Sequence, residues 1–287
     1  AALGRIEKGK TTVDEPTRQR LLRASVETTR FIDTVDRFLT GGRGSVLFAE
    51  GSPDRPTLTL SPLQVDHLLR ASLWNQHTAI LTSATIPRNL TKRIGLEESE
   101  TMMLDVGSPF HYDEQGVLYC PVGIADPRSD RRDGAVADEL ERLIDAAGGR
   151  TLALFTTVRA MRLHASTIAS RLPYRIFVQD DMPRGALIKS FEKDETSCLF
   201  ATSSFFQGID IPGRTLSLVV IDKLPFPRPD DPLLEARRET FGKNAFSEID
   251  LPRAATMLAQ AAGRLIRSAH DRGVVAVLDP RLATKPY

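Results

Sequence analysis

The most constraining feature of this sequence is a regular alternation of short apolar, β-branched runs with longer amphipathic runs from residue 117 onward. Short runs of this kind are typical of buried strands, and longer runs with apolar groups three or four apart indicate helices. The pattern predicts strands at 117–120, 151–155, 174–178, 197–201, 215–221 and 273–278. It predicts helices at 134–147, 158–171, 183–193, near 231–242 and at 251–267. Strands separated by helices form a parallel sheet with helices on both faces, so we expect an α/β fold.

The residues before this alternation have a different organisation. Apolar groups spaced three or four apart predict a helix over 17–39, which a pair of glycines ends. The sequence then predicts strands at 45–49 and 57–60, a helix at 62–74, and strands at 78–81 and 101–106. A helical and partial α/β N-terminal segment is therefore expected ahead of the sheet.

Composition excludes several classes of protein. The chain has 287 residues, a net charge of +1 and 41% hydrophobic residues, which are globular values, and its charge alone does not indicate nucleic acid. Two cysteines, Cys120 and Cys198, cannot form a disulfide framework or a four-cysteine metal site, so we expect any iron–sulfur cluster to lie outside this chain. The five histidines show no metal-ligand spacing, and we expect no metal site. Both cysteines, Trp74 and Phe110 are expected in the core.

Membrane association and secretion are not expected either. The apolar runs are shorter than the roughly 20 residues that cross a bilayer, and the first residues lack a signal-peptide pattern. We therefore expect a soluble, cytoplasmic protein. The sequence opens with Ala1 in mid-pattern, which suggests a fragment or a processed product.

The end of the predicted helix 251–267 carries the residues best suited to bind phosphate. Gln260, Arg264 and Arg267 are spaced by four and three residues, so they are expected on one helix face, and Gly263 would let a partner approach the backbone. Arginine is always charged and binds phosphate with two parallel hydrogen bonds. The pair therefore suits a γ-phosphoryl group.

Ligands of open parallel sheets bind beyond the carboxyl ends of the strands. The loops at this edge are 82–85, 156–157, 202–213 and 222–230, together with the residues around 260. Thr156 and Thr157 stand between a predicted strand and a helix N-terminus, and a helix N-terminus can bind an anionic group.

Five segments, in order, resemble motifs of the DinG/XPD-type superfamily 2 ATP-dependent DNA helicases. Ser83-Ala84-Thr85 matches motif III, residues 152–161 resemble motif IV, and residues 201–213 resemble motif V, with Gln207 where many members have Glu. Residues 221–232 resemble the K-L-P-F-x-x-P-x-D-P stretch, and 260–267 match the Q-x-x-G-R-x-x-R motif VI. The resemblance covers about the last 210 residues.

The resemblance implies a RecA-like sheet and the C-terminal half of a motor that moves 5′ to 3′ along single-stranded DNA. It implies that residues 1–77 are an arch-region and first-motor-domain remnant, that 78–106 hold the last strand and motif III of the first RecA-like domain, and that 107–287 form the second RecA-like domain. ATP and Mg²⁺ would be bound mainly by the missing first RecA-like domain, which would be the partner of this half.

The same resemblance implies roles for single residues. Arg264 and Arg267 would act catalytically by stabilising charge on the γ-phosphate. The nucleotide-binding residues would be Gln260, Gly263, Gly208, Asp210 and Gln207. Single-stranded DNA would contact Ser83, Thr85, Thr156, Thr157, Thr202 and Ser203.

The N-terminal residues contain a literal match to a phosphate-binding loop. Gly4 to Thr11 satisfies G-x-x-x-x-G-K-[ST]. Such a loop needs a buried strand before it and a helix directly after its Lys, but only three residues precede Gly4, and Pro16 begins the next helix. We interpret the match as a coincidence and expect the chain alone to hydrolyse ATP negligibly.

Three alternatives remain open at this point. The chain could be a non-catalytic module that binds single-stranded DNA or a protein partner. It could be a stand-alone phosphate-loop NTPase that uses Gly4 to Thr11. It could also be another doubly wound enzyme, such as a nucleotide-sugar transferase, although that would not explain five ordered motifs.

Overall fold

The computed structural model describes residues 14–41, 44–87, 89–129, 131–202 and 216–287. Its helices are α1 Glu15–Thr40, α2 Asp66–Leu69, α3 Leu90–Arg93, α4 Tyr112–Gln115, α5 Arg132–Ala147, α6 Val158–Arg171, α7 Arg184–Lys193, α8 Pro232–Phe241, α9 Leu251–Ala262 and α10 Arg281–Thr284. Its strands are β1 Ser45–Ser52, β2 Arg55–Pro62, β3 Gly116–Tyr119, β4 Thr151–Phe155, β5 Ile176–Val178, β6 Cys198–Thr202, β7 Leu218–Ile221 and β8 Gly273–Val277. π-helical turns at Arg70–Trp74 and Phe246–Asp250 follow α2 and precede α9.

The chain divides into two compact units, each built from separated stretches. One unit contains residues 1–80, 89–101 and 229–242. The other contains residues 81–88, 102–228 and 243–287, and it holds the large sheet. The predicted boundaries at 77/78 and 106/107 concern the domains of a whole motor, and they stay a prediction.

The first unit combines a long helix with a hairpin. Helix α1 begins with Pro16 in its first turn, where proline is tolerated, and ends at Gly41 in the left-handed conformation with φ 65°. Strands β1 and β2 pair antiparallel across a two-residue loop. Gly51 has φ 93°, and a Cβ there would lie 2.6 Å from the carbonyl oxygen of Arg55, so only glycine fits this tight turn.

Side-chain hydrogen bonds connect the remaining parts of this unit. Arg70 donates to the Gly95 carbonyl and to the carboxylates of Glu97 and Glu100. The indole of Trp74 is half-buried and donates to the carbonyl of Ile94. These bonds hold the π-helical turn after α2 against the α3 region.

The second unit contains the predicted parallel sheet. Six strands pair in the order β3-β8-β7-β4-β6-β5, and every pair is parallel. Strand β4 is central and all five of its residues are buried. The prediction of an α/β fold is confirmed, because a strand buried on both faces must be covered by helices on both sides.

The two faces of the sheet have separate apolar cores. Leu152 and Leu154 of β4 belong to one core, together with side chains of α7 such as Phe191. Ala153 and Phe155 belong to the other, which contains side chains of α5 and α6 and the buried Cys198. Side chains alternate between faces along a strand, so one central strand contributes to both cores.

Two predicted strands are wrong. Residues 78–81 and 101–106 form neither strand nor helix. Both segments are apolar, but a strand needs a neighbouring strand to accept and donate its backbone hydrogen bonds. Ile80 and Met102 are 89% and 95% exposed, which shows that the described part of the chain supplies no neighbour for either segment.

The boundaries of the long elements mostly agree with the sequence pattern. The bounds predicted for β4 and α6 are confirmed, and most other elements of the second unit shift by one to three residues. The predicted helix 62–74 begins only at Asp66 and opens into a π-helical turn from Arg70. In the described part of the chain, no helix has the length and apolar character needed to cross a bilayer.

Candidate functional site

The carboxyl edge of the sheet brings together polar residues that are distant in sequence. Thr156 follows β4, Thr202 ends β6, Asp222 follows β7, and Asp279 comes shortly after β8. The register pairs the last residue of β4 with Thr202, and neighbouring pairs align β4 with β7 and β7 with β8. The four residues therefore lie along one edge of the sheet, where ligands of this fold class bind.

Thr157 forms the N-cap of α6. Its backbone is extended, and its Oγ1 accepts a hydrogen bond from the Ala160 N–H at 3.2 Å. This bond satisfies one of the N–H groups that every helix leaves without an internal partner. Thr156 and Thr157 are both exposed, so the N-terminus of a 14-residue helix faces solvent at the ligand edge. Such an end attracts anionic groups.

Thr202 is buried, and a residue missed by the sequence analysis binds it. The N–H and the hydroxyl of Thr202 both donate to Oε1 of Gln179, each at 2.8 Å. Gln179 itself donates its backbone N–H to the Phe200 carbonyl just beyond β5. The sequence signal that indicates Gln179 is a Gln directly after a strand at the ligand edge. The DNA contact predicted for Thr202 stays a prediction.

The predicted helix 251–267 is too long. Helix α9 ends at Ala262, and the N–H groups of Arg264 and Leu265 donate to carbonyls only three residues back, which forms tight turns. Leu265 and Ile266 are buried in the core of the sheet. Arg264 and Arg267 therefore lie on a turn on either side of this buried pair, and they do not share a helix face with Gln260.

Asp271 fixes the backbone of this arginine turn, defined as residues 263–272. Its Oδ2 accepts hydrogen bonds from the N–H groups of Arg267 and Ser268, at 2.9 and 2.8 Å. The Arg267 guanidinium is half-buried. Burial lowers the pKa of Arg267, the nearby carboxylate of Asp271 raises it, and the net shift is downward. The group nevertheless stays charged at neutral pH, because arginine begins from so high a value.

A hydrogen bond connects α9 to the Ser83-Ala84-Thr85 loop. The Gln260 side chain donates from Nε2 to Oγ1 of Thr85 at 3.2 Å. Within the loop, Oγ of Ser83 accepts from the Thr85 N–H, also at 3.2 Å. Ser83 and Gln260 are exposed and Thr85 is half-buried. Two segments singled out by sequence thus meet at one place on the second unit.

Residues 140–287 match the model of a family described as the helicase C-terminal domain. The chain belongs to this family. The predicted resemblance to DinG/XPD-type helicases is confirmed, and the RecA-like form of the predicted sheet is confirmed with it.

Relatives and solved structures agree with the helicase family. The chain is 39% identical to the ATP-dependent helicase DinG of Mycobacterium tuberculosis over 279 residues, which cover 90% of this chain and 42% of that protein. It is 38% identical to the ATP-dependent DNA helicase YoaA of Escherichia coli, covering 80% of this chain and 37% of the relative. An XPD helicase structure superposes with a TM-score of 0.65 at 22% identity, covering 85% of this chain and 46% of the other. The chain thus spans less than half the length of these relatives.

Several residues predicted for this helicase domain lie outside the described residues. They are Ser203, Gln207, Gly208 and Asp210. The Gly4 to Thr11 segment also lies outside the described residues. The predicted roles of these residues stay predictions. Gly263 is described: it is exposed at the end of α9, and a Cβ there would come within 3.2 Å of the Ala259 carbonyl.

A buried ion pair supports the ligand edge of the helicase domain, and the sequence analysis missed it. Arg132 donates to Oδ1 of Asp222 at 2.7 Å and to the carbonyls of Asp222 and Leu278 at 2.6 and 2.9 Å. Arg132 and Asp222 are both almost fully buried. One guanidinium therefore connects the ends of β7 and β8.

Asp279 makes a second connection at the same edge. It accepts hydrogen bonds from the N–H of Leu224 and from the side chain and N–H of Arg281. Burial raises the pKa of Asp279, but the Arg281 guanidinium and the Leu224 N–H outweigh burial and lower it. An Asp directly after a strand, as in Ile221-Asp222 and Leu278-Asp279, was the sequence signal for both residues.

The arginine turn directly precedes β8, so it lies at the amino edge of the sheet, opposite the edge where Asp222 and Asp279 lie. Its chemistry fits a phosphate. Arg264 and Arg267 supply two permanent positive charges and many donors. Among the described residues, no group of three or more His, Cys, Asp or Glu side chains could hold a metal ion. The two arginines of the turn are therefore groups that suit a phosphate.

Proposed function

We propose that this chain contains the second RecA-like motor domain of an ATP-dependent DNA helicase of the DinG/XPD type. The observation that carries the proposal is the hydrogen bond between Gln260 and Thr85. It supports one continuous surface formed by the Ser83-Ala84-Thr85 loop and the end of α9, next to the arginine turn. In bacterial cells, such an enzyme would act in the cytoplasm.

Arg264 and Arg267 act on an ATP molecule that a first RecA-like domain with a Walker A/B site holds. Hydrolysis breaks the bond between the γ-phosphorus and the bridging oxygen, as water attacks from the opposite side and yields ADP and phosphate. Negative charge spreads over the γ-phosphoryl oxygens in the transition state. Two guanidinium groups stabilise that charge, and Gln260 maintains their position. Mg²⁺, which the first domain would hold, would neutralise further phosphate charge.

Hydroxyl side chains at the ligand edge and in the Ser83-Ala84-Thr85 loop contact the DNA backbone. Thr156 and Thr157 present a helix N-terminus to a phosphate, and Ser83 with Thr85 contributes a second contact at the junction with α9. These contacts are to the backbone and do not read the bases. Binding of single-stranded DNA should therefore be independent of sequence and weaken steeply with salt. By family resemblance, movement along the strand is 5′ to 3′.

Arginine substitutions in the full-length protein test the proposal. Arg267→Ala and Arg264→Ala should each lower the kcat for DNA-stimulated ATP hydrolysis by about 10³-fold or more, the range known for arginine fingers. Arg253→Ala, at an exposed position of α9, is the matched control and should stay within twofold of wild type. A wild-type kcat in both arginine variants would contradict the catalytic role and favour a non-catalytic DNA-binding module.

A further inference from the structure

Gln115 occupies an unusual position for a polar side chain. It ends α4 directly before β3, and it is only 6% exposed. Its Oε1 accepts from the His111 N–H at 2.9 Å, and its Nε2 donates to the carbonyls of Ser268 and Asp271 at 2.9 and 3.0 Å. Both amide hydrogens and the oxygen are therefore used, and two of the three bonds cross more than 150 residues of sequence.

The two carbonyls that Gln115 binds belong to the arginine turn. Ser268 follows Arg267 directly, and Asp271 accepts from the Arg267 N–H through Oδ2. A further bond joins the same segments, because the Arg272 guanidinium donates to the Glu114 carbonyl at 3.0 Å. The turn that carries Arg267 is thus fixed by hydrogen bonds to Gln115 and Glu114 of α4.

Neither core packing nor the sequence motifs account for this arrangement. A buried amide that donates to two backbone carbonyls is costly to replace, since an apolar side chain would remove the donor from both. The Ser268 carbonyl would keep only the Asp271 N–H among the described residues, at 3.3 Å. The bonds define where the backbone of residues 267–271 lies. The direction of the Arg267 side chain depends on that backbone.

We propose that Gln115 is a positioning residue for Arg267. This proposal rests on the proposed function, in which Arg267 stabilises charge on the γ-phosphate. Gln115 does not touch the nucleotide; it holds the arginine turn so that the guanidinium reaches the transition state in the correct geometry. A displacement of about 1 Å at a catalytic group can lower a rate about 100-fold.

The test uses the full-length protein and the variant Gln115→Met, which keeps the size of the side chain and removes its donors and acceptor. We expect the kcat for DNA-stimulated ATP hydrolysis to fall about 10- to 100-fold. The KM for ATP and the affinity for single-stranded DNA should stay within twofold. Gln76→Met is the matched control, because the Gln76 amide is exposed and binds only a nearby carbonyl among the described residues.

A double-mutant cycle separates positioning from a general structural effect. In an Arg267→Ala background, Gln115→Met should lower kcat by less than twofold, because the residue it positions is already absent. Independent, multiplicative losses would overturn the proposal, and so would an unchanged kcat in Gln115→Met alone. If Arg267→Ala itself keeps the wild-type kcat, the proposed function fails first, and the two failures are therefore distinguishable.

A second variant keeps the proposal testable if Gln115→Met does not fold. Asp271→Ala changes a half-buried position and removes the acceptor for the Arg267 N–H. It should reproduce the loss of kcat at constant KM. A folded Asp271→Ala protein with wild-type kcat would contradict the view that hydrogen bonds to this turn position Arg267.

Discussion

Gln260 donates a hydrogen bond to Oγ1 of Thr85 across 175 residues of sequence, and this bond joins α9 to the Ser83-Ala84-Thr85 loop. The donor lies near the end of α9, just before the arginine turn, and the acceptor is stabilised by Ser83. A change in the conformation of the loop can therefore alter the arginine turn through the Gln260 side chain. This physical connection would allow DNA contacts at the loop to influence ATP hydrolysis.

The first prediction concerns this bond. Thr85→Val and Gln260→Leu in the full-length protein should each reduce the stimulation of ATP hydrolysis by single-stranded DNA, while Thr85→Ser, which keeps the hydroxyl, should not. A neutral hydrogen bond contributes about 1 kcal/mol, so the coupling between the two positions should be roughly fivefold in a double-mutant cycle. Losses that simply multiply would show that the two side chains act independently.

The second prediction concerns the buried ion pair. Arg132→Met removes the partner of Asp222 and leaves a buried carboxylate, so the free energy of unfolding of this chain should fall by about 3–5 kcal/mol. Arg171→Met is the control and should have a much smaller effect, because Arg171 pairs with Asp138 and Glu141 near the surface, where solvent screens an ion pair. Urea-induced unfolding measures both. Similar losses in the two variants would contradict the assignment of Arg132 as the main support of the ligand edge.

The third prediction concerns pH and His164, a side chain of α6 stacked on Phe155. His164 is buried, and among the described residues neither ring nitrogen has a hydrogen-bond partner. Burial lowers the pKa of His164, although the nearby carboxylates of Asp222 and Asp133 oppose the shift. The folded state therefore binds a proton less readily than the unfolded state. Stability should be full above pH about 6.5 and decrease as the pH falls below it, by at most about 1.4 kcal/mol per pH unit.

The variant His164→Leu isolates this contribution. It should flatten the dependence of the unfolding free energy on pH between about 6.5 and 5, the range that begins at the ordinary pKa of histidine. His77→Asn, at an exposed position, should keep the wild-type slope. An identical slope in wild type and His164→Leu would mean that His164 is not the group responsible.

The fourth prediction concerns Asp279, whose pKa is lowered in the folded state. Asp279→Asn should reduce the free energy of unfolding at pH 7 by about 1–3 kcal/mol, because the charged partner of Arg281 and the acceptor for the Leu224 N–H are both weakened. The folded carboxyl binds protons less readily than the unfolded one. The difference between wild type and variant should therefore be full above pH about 3.8 and shrink as the pH falls through the lower folded pKa. A difference that is constant down to pH 2 would contradict the shift.

The elements that the sequence predicted best are those with strong local signals. The bounds of β4 follow from an apolar run between turn residues, and those of α6 follow from the Thr157 cap. The end of α9 could not be predicted in the same way. The residues after Ala262 suit a helix locally, but burial of Leu265 and Ile266 and the hydrogen bonds that Asp271 accepts favour a turn.

The wrong strand predictions and the missed residues have one physical cause. The structure of each depends on a partner that is distant in sequence. An apolar run such as 78–81 has the sequence pattern of a strand, but it forms a strand only when another strand pairs with it. The side chain of Arg132 donates a hydrogen bond to Asp222, which lies 90 residues further along the chain. Gln115 donates one to Ser268, at a separation of 153 residues. Motif residues such as Thr85 and Gln260 could be named from sequence, but their contact could not.

The most direct measurement is ATP turnover, with and without single-stranded DNA, by this chain alone and by a longer protein that includes the proposed Walker A/B domain. A second motor domain that supplies arginines to a nucleotide held elsewhere predicts negligible turnover by the chain alone and DNA-stimulated, Mg²⁺-dependent turnover by the longer protein. Robust turnover by residues 1–287 alone, abolished by Lys10→Ala, would contradict it. That result would assign ATP binding to the Gly4 to Thr11 segment.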